Sequence, residues 1–275
     1  MKSQISFPIS FLCVGISTLV LPSCGQRAAI SKQTLIIGEN NLTEVDARGS
    51  VLPPKLRPLI NAFGMLDIGC TVTHIGNHIA ITAGHCVPKS VKVGAEAPCW
   101  PNATIQWGYR IGVRNMPFSH CVRVLAAEFD LFKKDYAILR VDNAPKEKIE
   151  VEPNIQPKLG AGITMFGHPN KRTLEWSKYC VVGAPPKDYQ SGEYFGHQCD
   201  SEPGNSGSVI IDVKTLRVVG IHNGGEFPTN YATFTTNSSF SQELLALGAI
   251  VANGTDVSQE PADAETPDAL LVSQP

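Results

Sequence analysis

Two short segments far apart in the chain constrain its fold more than any other feature. Gly204-Asn205-Ser206-Gly207-Ser208 places a serine in a glycine-lined turn, and Thr82-Ala83-Gly84-His85-Cys86 places a histidine beside a cysteine. Serine is a weak nucleophile at its own pKa. Hydrolysis by serine therefore requires a base to take its proton and a third group to orient that base. Asp135, in the run Lys134-Asp135-Tyr136-Ala137-Ile138-Leu139, is the natural third group, because a carboxylate leading an apolar strand can rest buried against an imidazole. Asp130 is its rival, but Leu131-Phe132-Lys133-Lys134 after it reads as a loop approaching the strand. A fold that uses all three groups must close stretches of 50 and then 71 residues onto one place.

The rest of the chain reads as short apolar runs separated by Gly, Pro and Asn. Strands are predicted at residues 68–74, 78–82, 136–141, 162–167, 208–212 and 217–222. Helical periodicity is concentrated at residues 240–247, and the Pro-, Lys- and Glu-rich residues 142–155 read as a crossing between two halves. No internal repeat is evident.

The order His, Asp, Ser at these spacings resembles the chymotrypsin-like serine peptidases. The resemblance spans roughly residues 60–247 and is most specific around the three segments quoted. It implies an all-β fold of two packed six-stranded β-barrels with a short C-terminal helix and the active site between the barrels. In it His85 would act as general base and then acid, Asp135 as the orienting carboxylate and Ser206 as the nucleophile. The backbone N–H groups of Gly204 and Ser206 would form the oxyanion hole. No cofactor and no metal are implied, and the partner is a peptide or protein substrate. Many digestive and clotting relatives carry Asp at position 205, which pairs with a newly cut N-terminal ammonium; Asn205 has no charge to offer. Against all this stands the bland reading of a core histidine, a strand-end aspartate and a loop serine. Two other functions also stay open: a catalytically silent surface binding or adhesion protein on the same fold, and an esterase.

Of eight cysteines, six remain once Cys13 and Cys24 are set aside with the N-terminal leader. An even count in an exported chain argues for disulfides, and the absence of any CxxC spacing argues against zinc. Six cysteines allow fifteen connectivities. The family resemblance implies Cys70–Cys86, the bridge that braces the catalytic histidine, with Cys99–Cys121 and Cys180–Cys199 as the local pairs that follow.

Val218-Val219-Gly220-Ile221-His222-Asn223-Gly224-Gly225 would be the pocket-lining strand, with Gly224 and Gly225 leaving backbone free for an extended peptide. The Gly-Ile-His-x-Gly-Gly run resembles the bacterial glutamyl endopeptidase branch. That implies contact of His222 and Ser201 with a substrate carboxylate, and hence a preference for acidic residues before the cut. A packed strand histidine is the competing reading, and Glu226 would repel an acidic side chain if it faced the pocket. His197 is placed behind the pocket, His168 in a turn, and His74, His78 and His120 on strand or loop surfaces. Trp100, Trp107 and Trp176 read as packing residues.

Residues 1–24 read as an export signal, a basic residue followed by an apolar run and small residues, with a membrane anchor as the alternative. Leu21-Pro22-Ser23-Cys24 resembles a bacterial lipobox. Lipidation of Cys24 would attach the protein to a membrane surface, as an outer-membrane lipoprotein; ordinary cleavage nearby would release it as a secreted protein. Residues 25–57 are either an N-terminal segment of the mature domain or a propeptide, residues 58–252 the peptidase domain, and residues 253–275 an acidic disordered tail. A formal charge of −2 provides no electrostatic basis for nucleic-acid binding, and a monomer is expected.

Overall fold

The computed structural model describes residues 35–88, 96–130, 132–189 and 191–250. The export signal, Cys24 and the acidic tail lie outside these residues. From the N-terminal side, β1 (Thr43–Glu44) leads into a 3-10 stretch at Pro54–Ala62. The first barrel follows: β2 (Phe63–Leu66), β3 (Thr71–Gly76), β4 (Ile79–Thr82), the short β5 (Ala97–Pro98), β6 (Thr104–Trp107), β7 (Phe118–Asp130) and β8 (Lys134–Val141). The second contains β9 (Gly162–Gly167), β10 (Glu175–Gly183), β11 (Tyr194–His197), β12 (Val209–Asp212), β13 (Val218–Glu226) and β14 (Thr229–Phe234), and α1 (Ser238–Ala246) closes the domain.

Each sheet closes on itself. The order β7-β6-β2-β3-β4-β8 returns through β7–β8 pairing, with β5 added on β7. The order β10-β11-β14-β13-β12-β9 returns through β10–β9 pairing, with β1 added on β10. The two closed six-stranded barrels match the expected fold class. Closure of the first depends on β7, whose register shifts between Cys121 and Arg123 and between Val124 and Ala126. Such bulges bend a strand and raise its twist, which lets one 13-residue strand serve both β6 and β8.

One apolar cluster fills the first barrel around Leu66, Val72, Ile105, Trp107 and Leu139. Another fills the second around Ile163, Met165, Phe195 and Val219. The largest cluster joins residues of both, including Phe63 and Ile138 from the first and Phe166, Val209 and Ile221 from the second. Phe63 stacks on Phe166 with ring centroids 4.8 Å apart. Trp107 and Trp176 are buried and donate their indole N–H to Ser119 Oγ (2.7 Å) and Thr164 Oγ1 (2.6 Å). All three expected disulfides are present: Cys70–Cys86, Cys99–Cys121 and Cys180–Cys199.

Two sequence expectations need correction. The strand predicted at 68–74 begins at Thr71, because Leu66 accepts the N–H of Gly69 in a tight turn and Gly69 adopts a φ of +95°. His74 is buried, not on the surface; its Nδ1 bonds the carbonyl of Glu147 at 2.8 Å. Strand alternation alone does not show which residues a crossing segment will cover.

Phe63→Ala removes a fully buried ring from the barrel–barrel stack. The expected loss is about 3–5 kcal/mol in denaturant unfolding, with Ile79→Val losing about 1 kcal/mol as a comparison. Equal losses in the two variants would show that the seam does not carry the stack's stabilisation.

Candidate active site

His85 sits in a 3-10 turn, Gly84–Cys86, at the end of β4, and its neighbour Cys86 is bridged to Cys70 just before β3. A loop of this length closed by a disulfide contributes on the order of 3 kcal/mol and pins the turn to the barrel. Asp135, the second residue of β8, meets it there. Asp135 Oδ2 lies 2.7 Å from His85 Nδ1, and Asp135 Oδ1 accepts the backbone N–H of His85 at 2.9 Å. One carboxylate thus fixes both the ring and the peptide that carries it. Asp130 accepts the N–H of Phe132 and pairs with Lys133 at 3.7 Å, away from the imidazole.

The serine turn arrives from the second barrel. Thr71 donates its N–H to Ser206 O at 2.9 Å, and Cys86 Sγ lies 3.9 Å from that same oxygen. A Cβ on Gly207, at φ +85°, would collide with Thr71 O and Thr82 Oγ1, so glycine is what lets the turn press against β3 and β4. Gly207 donates to His222 O and His222 to Ser208 O, at 2.8 and 2.7 Å, which fastens the turn to β13 as well. Ser206 Oγ and His85 Nε2 are not hydrogen-bonded to each other in this state.

The two amides expected to face an oxyanion are set by their neighbours. In a trans peptide the C=O and the N–H point in opposite directions. Asn205 O accepts from Ser208 N at 2.9 Å, and Pro203 O from Asn170 N at 2.5 Å. The N–H groups of Ser206 and Gly204 therefore point the other way, and neither donates to an acceptor among the described residues.

A histidine pair joins β13, the expected pocket strand, to β11. His222 Nδ1 lies 3.0 Å from His197 Nε2, and both residues are buried. His197 Nδ1 has no partner among the described residues. A bare buried acceptor costs less than a bare buried N–H, which assigns the shared proton to His197 Nε2 and the second proton of the pair to His222 Nε2. Ser201 Oγ donates to Asn230 Oδ1 at 2.8 Å, so its proton is already engaged. Gly224 and Gly225 pair with Tyr231 and Asn230 on one side of β13, while β12 pairs with it only as far as Ile221. The other edge is open there among the described residues, but Leu35 packs closely on Gly225.

Charge follows these contacts. Burial opposes the cationic form of His85, and the charge and hydrogen bond of Asp135 more than offset it, so its pKa is raised above 6.5. Burial, with the nearby His85, pushes His222 down to about 3; burial and His222 hold His197 well below its ordinary value. Burial also lowers His168 to about 4. Among the described residues the one group of three or more His, Cys or acidic ligand atoms close enough to share a metal is Cys70, His85 and Cys86, and both sulfurs are in a disulfide.

A profile of the trypsin-like peptidase domain matches residues 69–221, more than half of the chain and all three candidate catalytic segments. The chain belongs to the trypsin-like peptidases. Among solved structures it is similar to a Glu endopeptidase in complex with MPD, at 19% identity and TM-score 0.54, covering 78% of this chain and 100% of that one. It is also similar to an inactive form of the Rv3671c protease of M. tuberculosis H37Rv, at 17% identity and TM-score 0.50, covering 80% and 100%. No curated protein matches the chain. The protein is a serine endopeptidase by family and fold.

Sequence reasoning missed two residues of this peptidase. Asn223, buried beside His222, donates its Nδ2 to the backbone carbonyl of Asp135 at 2.6 Å and accepts from Thr233 N and Oγ1 at 2.8 Å each. Asp200, also buried, accepts the N–H groups of Ile37 (2.7 Å) and Asn41 (2.6 Å), while Leu35 and Ser201 exchange backbone bonds. Apart from Thr233, their partners Asp135, Asn41 and Ile37 lie 88 to 163 residues away, so no local motif marks them.

In an NMR titration, the His85 imidazole of the peptidase should protonate above pH 6.5, since the Asp135 charge favours the cation. Asp135→Asn should move that midpoint down, because burial then acts unopposed. An unmoved midpoint would show that Asp135 does not set the charge of His85.

Proposed function

We propose that the peptidase hydrolyses peptide bonds through His85, Asp135 and Ser206, prefers an acidic residue before the cut, and works outside the cytoplasm. The observation that carries this reading is the double hydrogen bonding of His85 to one buried carboxylate beside the serine turn. With Nδ1–H donated to Asp135, the lone pair is on Nε2, where it can take the Ser206 proton as Oγ attacks the carbonyl carbon. The oxyanion that forms is met by the N–H groups of Gly204 and Ser206. His85 then gives the proton to the leaving nitrogen, the C–N bond breaks, and an ester to Ser206 remains. Water attacks that ester with His85 again as base, releasing the acid and restoring Ser206. The step needs neutral His85, so kcat/KM should rise with pH through the raised pKa.

The acidic preference rests on His222. Held neutral like its partner His197, it would offer Nε2–H to a substrate carboxylate, and a charged acceptor makes the stronger bond. Ser201 would join only if its hydroxyl turned from Asn230 to the ligand. His222→Ala should lower kcat/KM for cleavage after Glu by about 10²-fold, with fluorophosphonate labelling of Ser206 retained. Ser206→Ala should abolish both turnover and labelling. Labelling of the wild type would separate an enzyme from a silent binding protein, and amide against ester turnover would separate a peptidase from an esterase. Cleavage of a peptide library after a residue other than Glu or Asp would discard the pocket reading and keep the triad.

Three disulfides fit an oxidising compartment, which supports export. If Cys24 carries acyl chains, the full chain should be in the membrane fraction of its host and Cys24→Ser should move it to the soluble fraction. Equal distribution of the two would leave ordinary secretion.

A further inference from the structure

The uncharged Asn205 raises the question of what holds the oxyanion-hole peptide in place, since it cannot pair with an N-terminal ammonium. We propose that a charged clamp outside the turn does so: Arg172, bridging Glu175 and Glu202, acts with Asn170 to lock the Pro203–Gly204 peptide with its N–H toward the cleft. The inference rests on the proposed use of that N–H as an oxyanion donor, and makes Asn170, Arg172 and Glu202 positioning residues.

Gly204 is the weak point of the turn. At φ +104° it needs no side chain, and its freedom makes rotation of the preceding peptide easy. A rotated peptide would present Pro203 O to the developing negative charge in place of an N–H. The observed orientation is fixed by Asn170 N, which donates to Pro203 O. Asn170 is itself in the left-handed region, at φ +49°. Its side-chain Nδ2 donates to Glu202 Oε2 at 2.9 Å, so the residue that holds the peptide is held by Glu202. Glu202 in turn accepts from Arg172 Nη2 at 2.6 Å, and its backbone carbonyl accepts Asn205 N at 3.0 Å. The circuit closes on buried Glu175, which takes Arg172 through both oxygens at 2.7 and 3.2 Å. Glu175 and Glu202 would repel each other across this gap without the guanidinium between them, and a planar fork is the geometry that serves two carboxylates. A Cβ on Gly204 would also meet His168 O and Asn170 N, showing how closely the clamped turn approaches.

The test uses the full chain carrying Arg172→Met, Glu202→Gln or Asn170→Gly. Glycine suits the left-handed backbone at 170 and leaves its N–H in place, so this variant should fold even if the others do not. The readouts are kcat and KM on a cleaved peptide, and affinity for a peptide aldehyde, whose hemiacetal oxyanion on Ser206 occupies the hole. Affinity for the product peptide serves as control. Arg172→Met and Glu202→Gln should lower kcat and aldehyde affinity by about 10²-fold with KM and product affinity near wild type. Asn170→Gly should lose about tenfold. Wild-type kcat and aldehyde affinity in a folded variant would overturn the clamp. So would kcat and product affinity falling together. A wild-type chain that fluorophosphonate does not label would instead overturn the triad reading, and the clamp with it.

Discussion

The carboxylate of Asp135 is the group on which the rest of the site depends. It is buried at the barrel seam, where an ionised group is tolerated only if its oxygens are hydrogen-bonded. Both are: one takes the His85 ring and the other the His85 backbone N–H. Its main chain is gripped from the opposite barrel, where Asn223 Nδ2 donates to the Asp135 carbonyl and Thr233 holds the Asn223 amide in place. The buried amide of Asn223 is nearly saturated, and such fully partnered groups fix one geometry because every alternative leaves a polar atom stranded. The first barrel therefore supplies the imidazole and its carboxylate, and the second sets where that carboxylate stands. The Phe63–Phe166 stack and the mixed apolar cluster hold the seam closed without directing it; the polar contacts do the directing.

The histidines show how environment divides one side chain among different tasks. His85 has a carboxylate against it and is driven toward the cation, which prepares it to receive a proton. His222 and His197 have only each other, and burial holds both neutral. A neutral pair can transmit hydrogen-bond polarity from one ring to the next while adding no charge beside His85. A cationic His222 would disfavour protonation of His85 during the reaction.

Legibility in the sequence followed locality. The glycine-lined turn, the His-Cys pair and the apolar run after Asp135 are each contiguous, and they led to the barrels and to the residues that the fold brings to the seam. Strand 162–167 was readable because its turn and apolar signals coincide with its ends. Strand 68–74 was misread because Gly69 looked like part of an apolar run, while its positive φ makes it a turn. His74 was misread because the cover over it comes from Glu147, in a crossing segment with no periodicity. Asn223, Asp200 and the Arg172–Glu202 bridge were invisible for the same reason: an amide, an aspartate and an ion pair have no meaning until distant backbone is placed beside them.

That last point bears on charge at the pocket. Cys199-Asp200-Ser201-Glu202 reads as an acidic stretch beside a site proposed to receive a carboxylate, and Glu226 adds to it. The contacts remove most of that objection. Both oxygens of Asp200 are engaged by the Ile37 and Asn41 amides, so Asp200 is not an open anion for a basic side chain and its field is offset by those dipoles. The charge of Glu202 is partly offset by Arg172, which it shares with Glu175, and Glu226 is exposed at the end of β13, where water screens it. On the proposed reading, what β13 would offer a substrate is then a neutral imidazole with a proton to donate. Two acidic residues flanking Ser201 thus serve to fasten backbone, Asp200 to the Leu35 segment and Glu202 to the oxyanion turn, and the loop's formal charge is a poor guide to what it would bind.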